Sequence, residues 1–190
     1  GDHRVLHSFP TRRSSDLRNL EIVRRLAAGT GRTGFLVGYV EVNEARPGRE
    51  AANAVALLQH GRVVATRTKT LLPTYDVFDE DRYFEPAGEN QPVEFNGLRL
   101  GLTICEDLWN DEAFWRDRRY RRDPASELVQ AGADALFNVS ASPWHLGKNR
   151  VRHAMLNRLA AAARRPLVYC NLVGGKDRKS TRLNSSHRIR

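Results

Sequence analysis

Along Leu98-Arg-Leu-Gly-Leu-Thr-Ile104 an apolar residue stands at every second position, with small or polar residues between. That is the period of a strand with two unlike faces. The pattern breaks after Ile104 into Cys105, Glu106 and Asp107, so a cysteine stands where a strand gives way to an acidic turn. "FLVGYVEV" (35–42) is rich in β-branched and aromatic residues and predicts another strand. "NAVALLQHGRVVATRTK" predicts a hairpin turning at His60-Gly61, and "DALFNVS" and "LVYCNLV" predict two more strands, the last introduced by Pro166. Leu20, Val23 and Ala27 predict a short helix over 18–28 stopped by Gly29, and 126–131 predicts another up to Gly132. A third is predicted over 149–164, with Val151, Met155, Leu159 and Ala162 on one face. Between hairpin and cysteine strand, "LLPTYDVFDEDRYFEPAGENQPVEF" with Pro73, Pro86, Gly88 and Pro92 predicts a long irregular loop, which in a compact domain is usually functional. Strands alternating with helices, plus one hairpin, predict an α/β domain.

The 190 residues suffice for one domain with its own core. No apolar stretch reaches the roughly eighteen residues that span a bilayer, and no signal-peptide apolar region opens the chain, so a soluble protein away from membranes is expected. Two cysteines, Cys105 and Cys170, do not make a disulfide framework and suit a reducing, cytoplasmic compartment. The six histidines show no metal-ligand spacing, and no metal is expected.

The formal charge of +9 and pI near 10.2 would point to nucleic acid if the charge lay in the folded part. Much of it lies at the ends. "HSFPTRRSSDL" (7–17) and "DRKSTRLNSSH" (177–187) are rich in Ser and Arg, lack periodicity, and switch abruptly into patterned sequence. Read back into codons, both resemble common short-read sequencing adapters, so 1–17 and 177–190 are expected to be non-native tails that pack poorly. They hold eight of the 31 basic residues and three of the 22 acidic ones, leaving +4 for 18–176. A nucleic-acid partner is therefore not expected.

On position alone Cys105 could be a nucleophile, a metal ligand or a plain thiol, and the plain thiol is the commonest case. A cysteine at a strand end facing an acidic turn is more open to a cleft than one inside an apolar run. Cys170, inside "LVYCN", reads as a buried strand residue.

Four segments, "KTLLPTYDVFDEDRYFEP", "GLTICEDLWND", "NVSASPWHLGKNRVR" and "VYCNLVGGKD", occur in this order. Together they resemble the nitrilase (carbon–nitrogen hydrolase) superfamily, and within it the glutaminase domains of glutamine-dependent NAD(+) synthetases. The resemblance covers nearly all of 18–176. It implies a nitrilase-type α-β-β-α sandwich, truncated at both ends. The implied reaction is hydrolysis of L-glutamine through a cysteine thioester, with the ammonia used to amidate deamido-NAD. Of the family's Glu–Lys–Cys triad, Cys105 matches the nucleophile and Lys69 the catalytic lysine. A thiol with a pKa of about 8.5 needs a base or positive neighbour to attack an amide, and Lys69 would favour the thiolate. The ammonium of Lys69 and the backbone N–H after Cys105 would hold the oxyanion.

The resemblance further implies that Tyr75 and Phe78 wall the substrate pocket and that Glu80 supports the lysine or the substrate amine. It implies that Trp109 lines the pocket after the cysteine, that Ser142 bonds the substrate's α-substituents, and that Lys148 faces its α-carboxylate. Each has a structural alternative: Lys69 a solvated strand-end charge, the aromatics core, Glu80 one charge of an acidic loop, Ser142 a turn residue before Pro143, Lys148 a helix-start surface charge. The glutaminase step implies no cofactor; ATP and Mg would belong to a synthetase domain, whose S-G-G-x-D-S phosphate loop this sequence lacks. That domain and a homo-oligomeric parent are the implied partners. One departure stands out. The family's general-base glutamate lies in a segment resembling P-E-L-x-L-x-G-Y, and Glu21, Glu41, Glu44 and Glu50 stand in other contexts. The chain is therefore expected to be catalytically incomplete. The alternatives are another nitrilase-superfamily amidase or carbamoylase, and a non-catalytic fragment.

Overall fold

The computed structural model describes residues 12–45, 47–75, 78–112, 114–143, 145–176, 179–181 and 187–189. The first helix, α1 (Arg12–Ala28), begins six residues before the predicted start at Arg18, because neither Gly nor Pro interrupts the chain between Thr11 and Ala28. It thus runs through the 17/18 boundary that composition suggested. Gly29 ends it as expected, with Thr30 bonding back to the Ala27 carbonyl. Strands β1 (Phe35–Val42), β2 (Ala51–Gln59) and β3 (Arg62–Thr68) follow as one antiparallel sheet in the order β1-β2-β3. His60 and Gly61 both take positive φ, the conformation of a two-residue turn that matches strand twist.

The second sheet is built around three parallel strands, β5 (Leu98–Ile104), β6 (Ala135–Ser140) and β7 (Leu167–Asn171). The crossover from β5 to β6 carries α2 (Pro124–Gln130), and that from β6 to β7 carries α3 (Lys148–Ala163). The Asp123 side chain caps α2 by accepting from Ser126 N, with Pro124 in the first turn. β4 (Val93–Phe95) pairs antiparallel with β5 across Asn96-Gly97, again both at positive φ. The end of the predicted irregular loop is thus a hairpin. Beyond β7 come the short strands β8 (Gly174–Lys176), β9 (Lys179–Thr181) and β10 (His187–Ile189). β10 pairs antiparallel with β7, so this described part of the predicted C-terminal tail is in the sheet. Residues 1–11, 177–178, 182–186 and 190 of the predicted tails lie outside the described residues.

Burial sorts these elements into four layers. Ala54, Ala56 and Leu58 of β2 face Val23 and Ala27 of α1, whereas Val55 and Leu57 face Leu100, Leu102 and Ile104 of β5. A strand buried on both faces reads as the near-continuous apolar run "NAVALLQ". On the far side of the second sheet, Leu136, Leu167 and Tyr169 pack with Leu128 of α2 and Met155, Leu156 and Leu159 of α3. The alternation of β5 now has a cause. Gly101 faces α2, where a Cβ would come within 2.6 Å of Leu136 and 3.3 Å of Leu128.

Two predicted burials fail. The buried stripe of α3 is Arg152, Met155, Leu156 and Leu159, while Val151 and Ala162 are exposed. The chosen face was rotated because a charged residue, Arg152, occupies a core position. Cys170 is exposed rather than buried. Along β7, Leu167 and Tyr169 turn toward the helices and Cys170 to the opposite face. There the first sheet lies chiefly over β5 and β6, so Cys170 has little above it.

Candidate active site

The parallel strands β5, β6 and β7 end together at one sheet edge, where Ser140 pairs with Asn171 and Cys105 follows Ile104. In parallel sheets this carboxyl edge is where ligands bind. Cys105 opens a short 3₁₀ turn (Cys105–Leu108) with φ of 46°. A residue with a Cβ is rarely left-handed, and holding it there costs on the order of 1–3 kcal/mol. Asp107 supplies the hold. Its Oδ2 accepts from Ile104 N (2.9 Å), while Oδ1 accepts from Thr70 N (3.0 Å) and Leu71 N (2.8 Å). One buried carboxylate thus ties the cysteine turn to the segment that follows Lys69. Burial raises the Asp107 carboxyl to about 6, against the lowering effect of those N–H donors and of Lys69.

Asn138 on β6 supports the turn from below. Its Nδ2 donates to Thr103 Oγ1 (3.0 Å) and to the Cys105 carbonyl (3.4 Å), and its Oδ1 accepts from Ser140 Oγ (2.6 Å).

Lys69 follows β3 and is 1 % exposed. A buried ammonium is costly unless paired, and Nζ lies 2.6 Å from Glu80 Oε2. Glu80 reaches it because the loop folds back, with Glu80 N donating to the Pro73 carbonyl at 3.0 Å. Asn53 Nδ2 donates to the same carboxylate oxygen (3.4 Å). The charges of this pair act on the Cys105 thiol. Burial pushes the thiol above its ordinary range; the Lys69 charge pulls it down, Glu106 and Glu80 push it up, and the Ser140 hydroxyl lowers it. Lys69 acts on the thiol in the expected direction, and desolvation outweighs it.

Glu106 is buried and takes Tyr75 Oη at 2.7 Å and Tyr120 Oη at 3.3 Å. Arg119 lies over the Tyr75 ring, 4.1 Å from its centroid, and Phe78 meets that ring edge-on. Trp109 stacks on Trp115 and carries Lys148 Nζ over its face at 5.3 Å. Ser142 is buried, and its backbone N–H donates to Asn171 Oδ1 at 2.9 Å. The structure therefore puts Lys69 and Glu80 in direct contact beside Cys105. Tyr75 and Phe78 lie on one flank of the turn, Trp109 and Lys148 on another, and Ser142 at the ends of β6 and β7.

Glu106, Asp107, Tyr120 and Asn138 received no role from the sequence. The two acids stood in view as an acidic turn after the cysteine, but nothing in their spacing told a turn from a fixed network. The carboxylates that act on the Cys105 thiol are Glu106 and Glu80. Glu41, by contrast, interacts with Tyr39, a residue of the α1-facing core.

A four-layer α-β-β-α sandwich with a cysteine and an ion-paired lysine at its carboxyl edge is the architecture of a carbon–nitrogen hydrolase. The family model for the carbon-nitrogen hydrolases matches residues 11–187, and the chain belongs to that family. It is homologous over most of its length to glutamine-dependent NAD(+) synthetases. It is 43% identical to that of Synechocystis sp. over 125 residues, 66% of this chain and 22% of the relative. With that of Thermotoga maritima it shares 35% over 162 residues, 84% of this chain and 26% of the relative. Among solved structures, the glutamine-dependent NAD+ synthetase from Acinetobacter baumannii, in complex with ADP, superposes with a TM-score of 0.72 at 27% identity. That match covers 87% of this chain and 29% of the other. A carbon-nitrogen hydrolase from Helicobacter pylori shares the fold at a TM-score of 0.64 and 22% identity, over 84% of this chain and 52% of the other. The chain thus spans about a quarter of the length of the curated relatives it matches. Among the described residues no helix is long and apolar enough to cross a membrane.

Proposed function

We propose that this cleft is a glutaminase site, which releases ammonia from L-glutamine through a γ-glutamyl thioester on Cys105. The observation that carries the reading is buried Lys69, paired with Glu80, whose charge acts on a cysteine held in a left-handed turn at the carboxyl edge of the sheet. The sulfur attacks the side-chain amide carbon, and the new C–S bond forms as charge moves to the carbonyl oxygen. The Lys69 ammonium and the Glu106 backbone N–H stabilise that oxyanion, each such donor contributing about 3–4 kcal/mol. Collapse breaks the C–N bond; the nitrogen leaves as ammonia with the proton the thiol gave up, and water later cleaves the thioester to glutamate and restores the thiol. Tyr75 and Phe78 wall the pocket, Trp109 lines it, and Ser142 and Lys148 bind the α-substituents. Glu80 pairs with Lys69 and holds it in place.

The step needs neither metal nor nucleotide. ATP and Mg belong to a synthetase part of a longer protein, which uses the ammonia to amidate deamido-NAD and assembles as a homo-oligomer. Glutamine is favoured over other amides because the relatives most similar in sequence are named for it.

The test is to expose the chain to L-glutamine, quench in acid and measure intact mass. A single glutamyl adduct on the peptide carrying Cys105, lost on hydroxylamine treatment and absent in Cys105→Ala, is expected. Lys69→Met should suppress the adduct. An adduct formed equally well from a simple aliphatic amide would favour a general amidase instead.

A further inference from the structure

Arg152 sits in the second turn of α3 at a core position and is 5 % exposed. A guanidinium is always charged, and one this deep ordinarily has a carboxylate or several carbonyls around it. Here only Nη1 has an acceptor, the neighbouring Asn149 Oδ1 at 3.2 Å. Nε and Nη2 are buried with no hydrogen-bond acceptor among the described residues. Those two nitrogens form one edge of the guanidinium, whose parallel N–H bonds match the two oxygens of a carboxylate.

The surroundings say where that carboxylate comes from. The guanidinium lies over the Tyr169 ring, 5.2 Å from its centroid. Tyr169 Oη reaches Asn171 Oδ1 (3.4 Å), the same atom that holds Ser142 N at the carboxyl edge of the sheet. The Tyr169 hydroxyl is raised by burial, and both Arg152, which lowers it, and Cys105, which raises it, act on this same phenol. Lys148, one turn earlier on α3, is on the same helix face and lies over Trp109, next to the cysteine turn. Two cations on one helix face therefore rest on two aromatic rings, Trp109 beside the cysteine turn and Tyr169 of β7.

We infer that Arg152 is a carboxylate receptor of this cleft: its Nε–Nη2 edge takes the α-carboxylate of the amino-acid amide bound at Cys105, with Lys148 as the second cation. The inference rests on the glutaminase reading and adds to it a residue that discriminates α-amino-acid amides from simple amides. An apolar side chain would fill this core position without the cost of an unpaired buried charge.

The test is labelling of Cys105 in the 190-residue chain by a chloromethyl ketone analogue of glutamine, with mass spectrometry as readout. Two comparison reagents are used: the same ketone with its α-carboxylate converted to a carboxamide, and iodoacetamide. Arg152→Gln should lower the labelling rate by the carboxylate ketone roughly 10- to 100-fold, the size of a lost charge-assisted hydrogen bond, while leaving the other two rates within about twofold. Arg152→Lys should recover part of the loss. Equal loss with all three reagents, or no loss with the carboxylate ketone, overturns the inference. A measurement without substitution guards against a misfolded variant. In the unmodified chain, the Arg152 Nε–H NMR signal should move when Cys105 carries the carboxylate ketone and stay in place with the carboxamide. No movement overturns the inference. Unmodified chain that reacts with iodoacetamide but with neither ketone would instead overturn the glutaminase reading beneath it.

Discussion

Cys105 shows how far a single residue can be read. Its place at the end of an alternating strand marked it as unusual, and the resemblance supplied Lys69 as its neighbour. Neither could reveal that its backbone is left-handed, which depends on the Asp107 hydrogen bonds, or that its thiol is pushed up, which depends on how the folded environment desolvates the sulfur. The raised thiol gives a direct expectation. Alkylation by iodoacetamide should keep rising above about pH 9 rather than level off near neutrality, and Lys69→Met should move the inflection higher still, since it removes a positive charge that lowers the thiol. A plateau below pH 8 would contradict this. Asp107 offers the second test at this scale. Its carboxyl is raised from 3.8 to about 6, so the native state binds more protons than the unfolded state between those values. Stability from this group is therefore full below about pH 4 and falls as pH rises through 6, by about 3 kcal/mol over the window. Asp107→Asn has no such titration and leaves the Ile104 N–H facing an amide N–H. The substitution should destabilise most at pH 4 and less at pH 7, measured by urea denaturation at both values.

At the scale of elements, what was legible was what depends on local period. β1, the β2–β3 hairpin, β5, β6 and the last strand stand where alternation and turn residues put them. β4 was hidden because a three-residue strand has no period to detect, although its Asn96-Gly97 turn was in plain view. The buried face of α3 differs from the expected one for a physical reason: Arg152 carries a charge that marks a surface residue in a sequence, yet it is buried. The long connection after Leu108 shows the same dependence on context. Asn110, 1 % exposed, donates to the carbonyls of Tyr120 (2.8 Å) and Arg122 (2.6 Å) and accepts from Tyr120 N. It thereby holds the arginine-rich strap that delivers Tyr120 to Glu106 and Arg119 to Tyr75. Asn110→Ala leaves those backbone groups without their partner, at a cost of about 1–3 kcal/mol. Trypsin should then cut at Arg118 or Arg119 far faster than in the parent chain, with the peptide bonds inside β5 and β6 still protected. Unchanged cleavage would mean the strap is held by its other contacts.

For the whole molecule, periodicity reached only as far as an α/β domain. The four layers came from the resemblance, because nothing in an alternating strand says which sheet it joins or what covers its second face. The site as a whole carries one more consequence. Both carboxylates that act on Cys105 are committed: Glu80 to Lys69 at 2.6 Å, and Glu106 to the two tyrosine hydroxyls. A carboxylate that holds an ammonium or accepts from phenols is a poor proton acceptor for the water that must cleave the thioester. With no uncommitted carboxylate among those that act on the thiol in the described residues, the chain should acylate at Cys105 but turn over slowly, since a missing base removes a factor of about 10²–10⁴. The measurement is ammonia released from L-glutamine with time, beside an intact glutamine-dependent NAD(+) synthetase under the same conditions. A steady rate at least about 100-fold below that of the intact enzyme is expected, falling to background in Cys105→Ala. Comparable rates would show that Glu80 or Glu106 leaves its partner during the reaction. In that case Glu80→Gln and Glu106→Gln, made separately, would identify the base by which of them abolishes ammonia release.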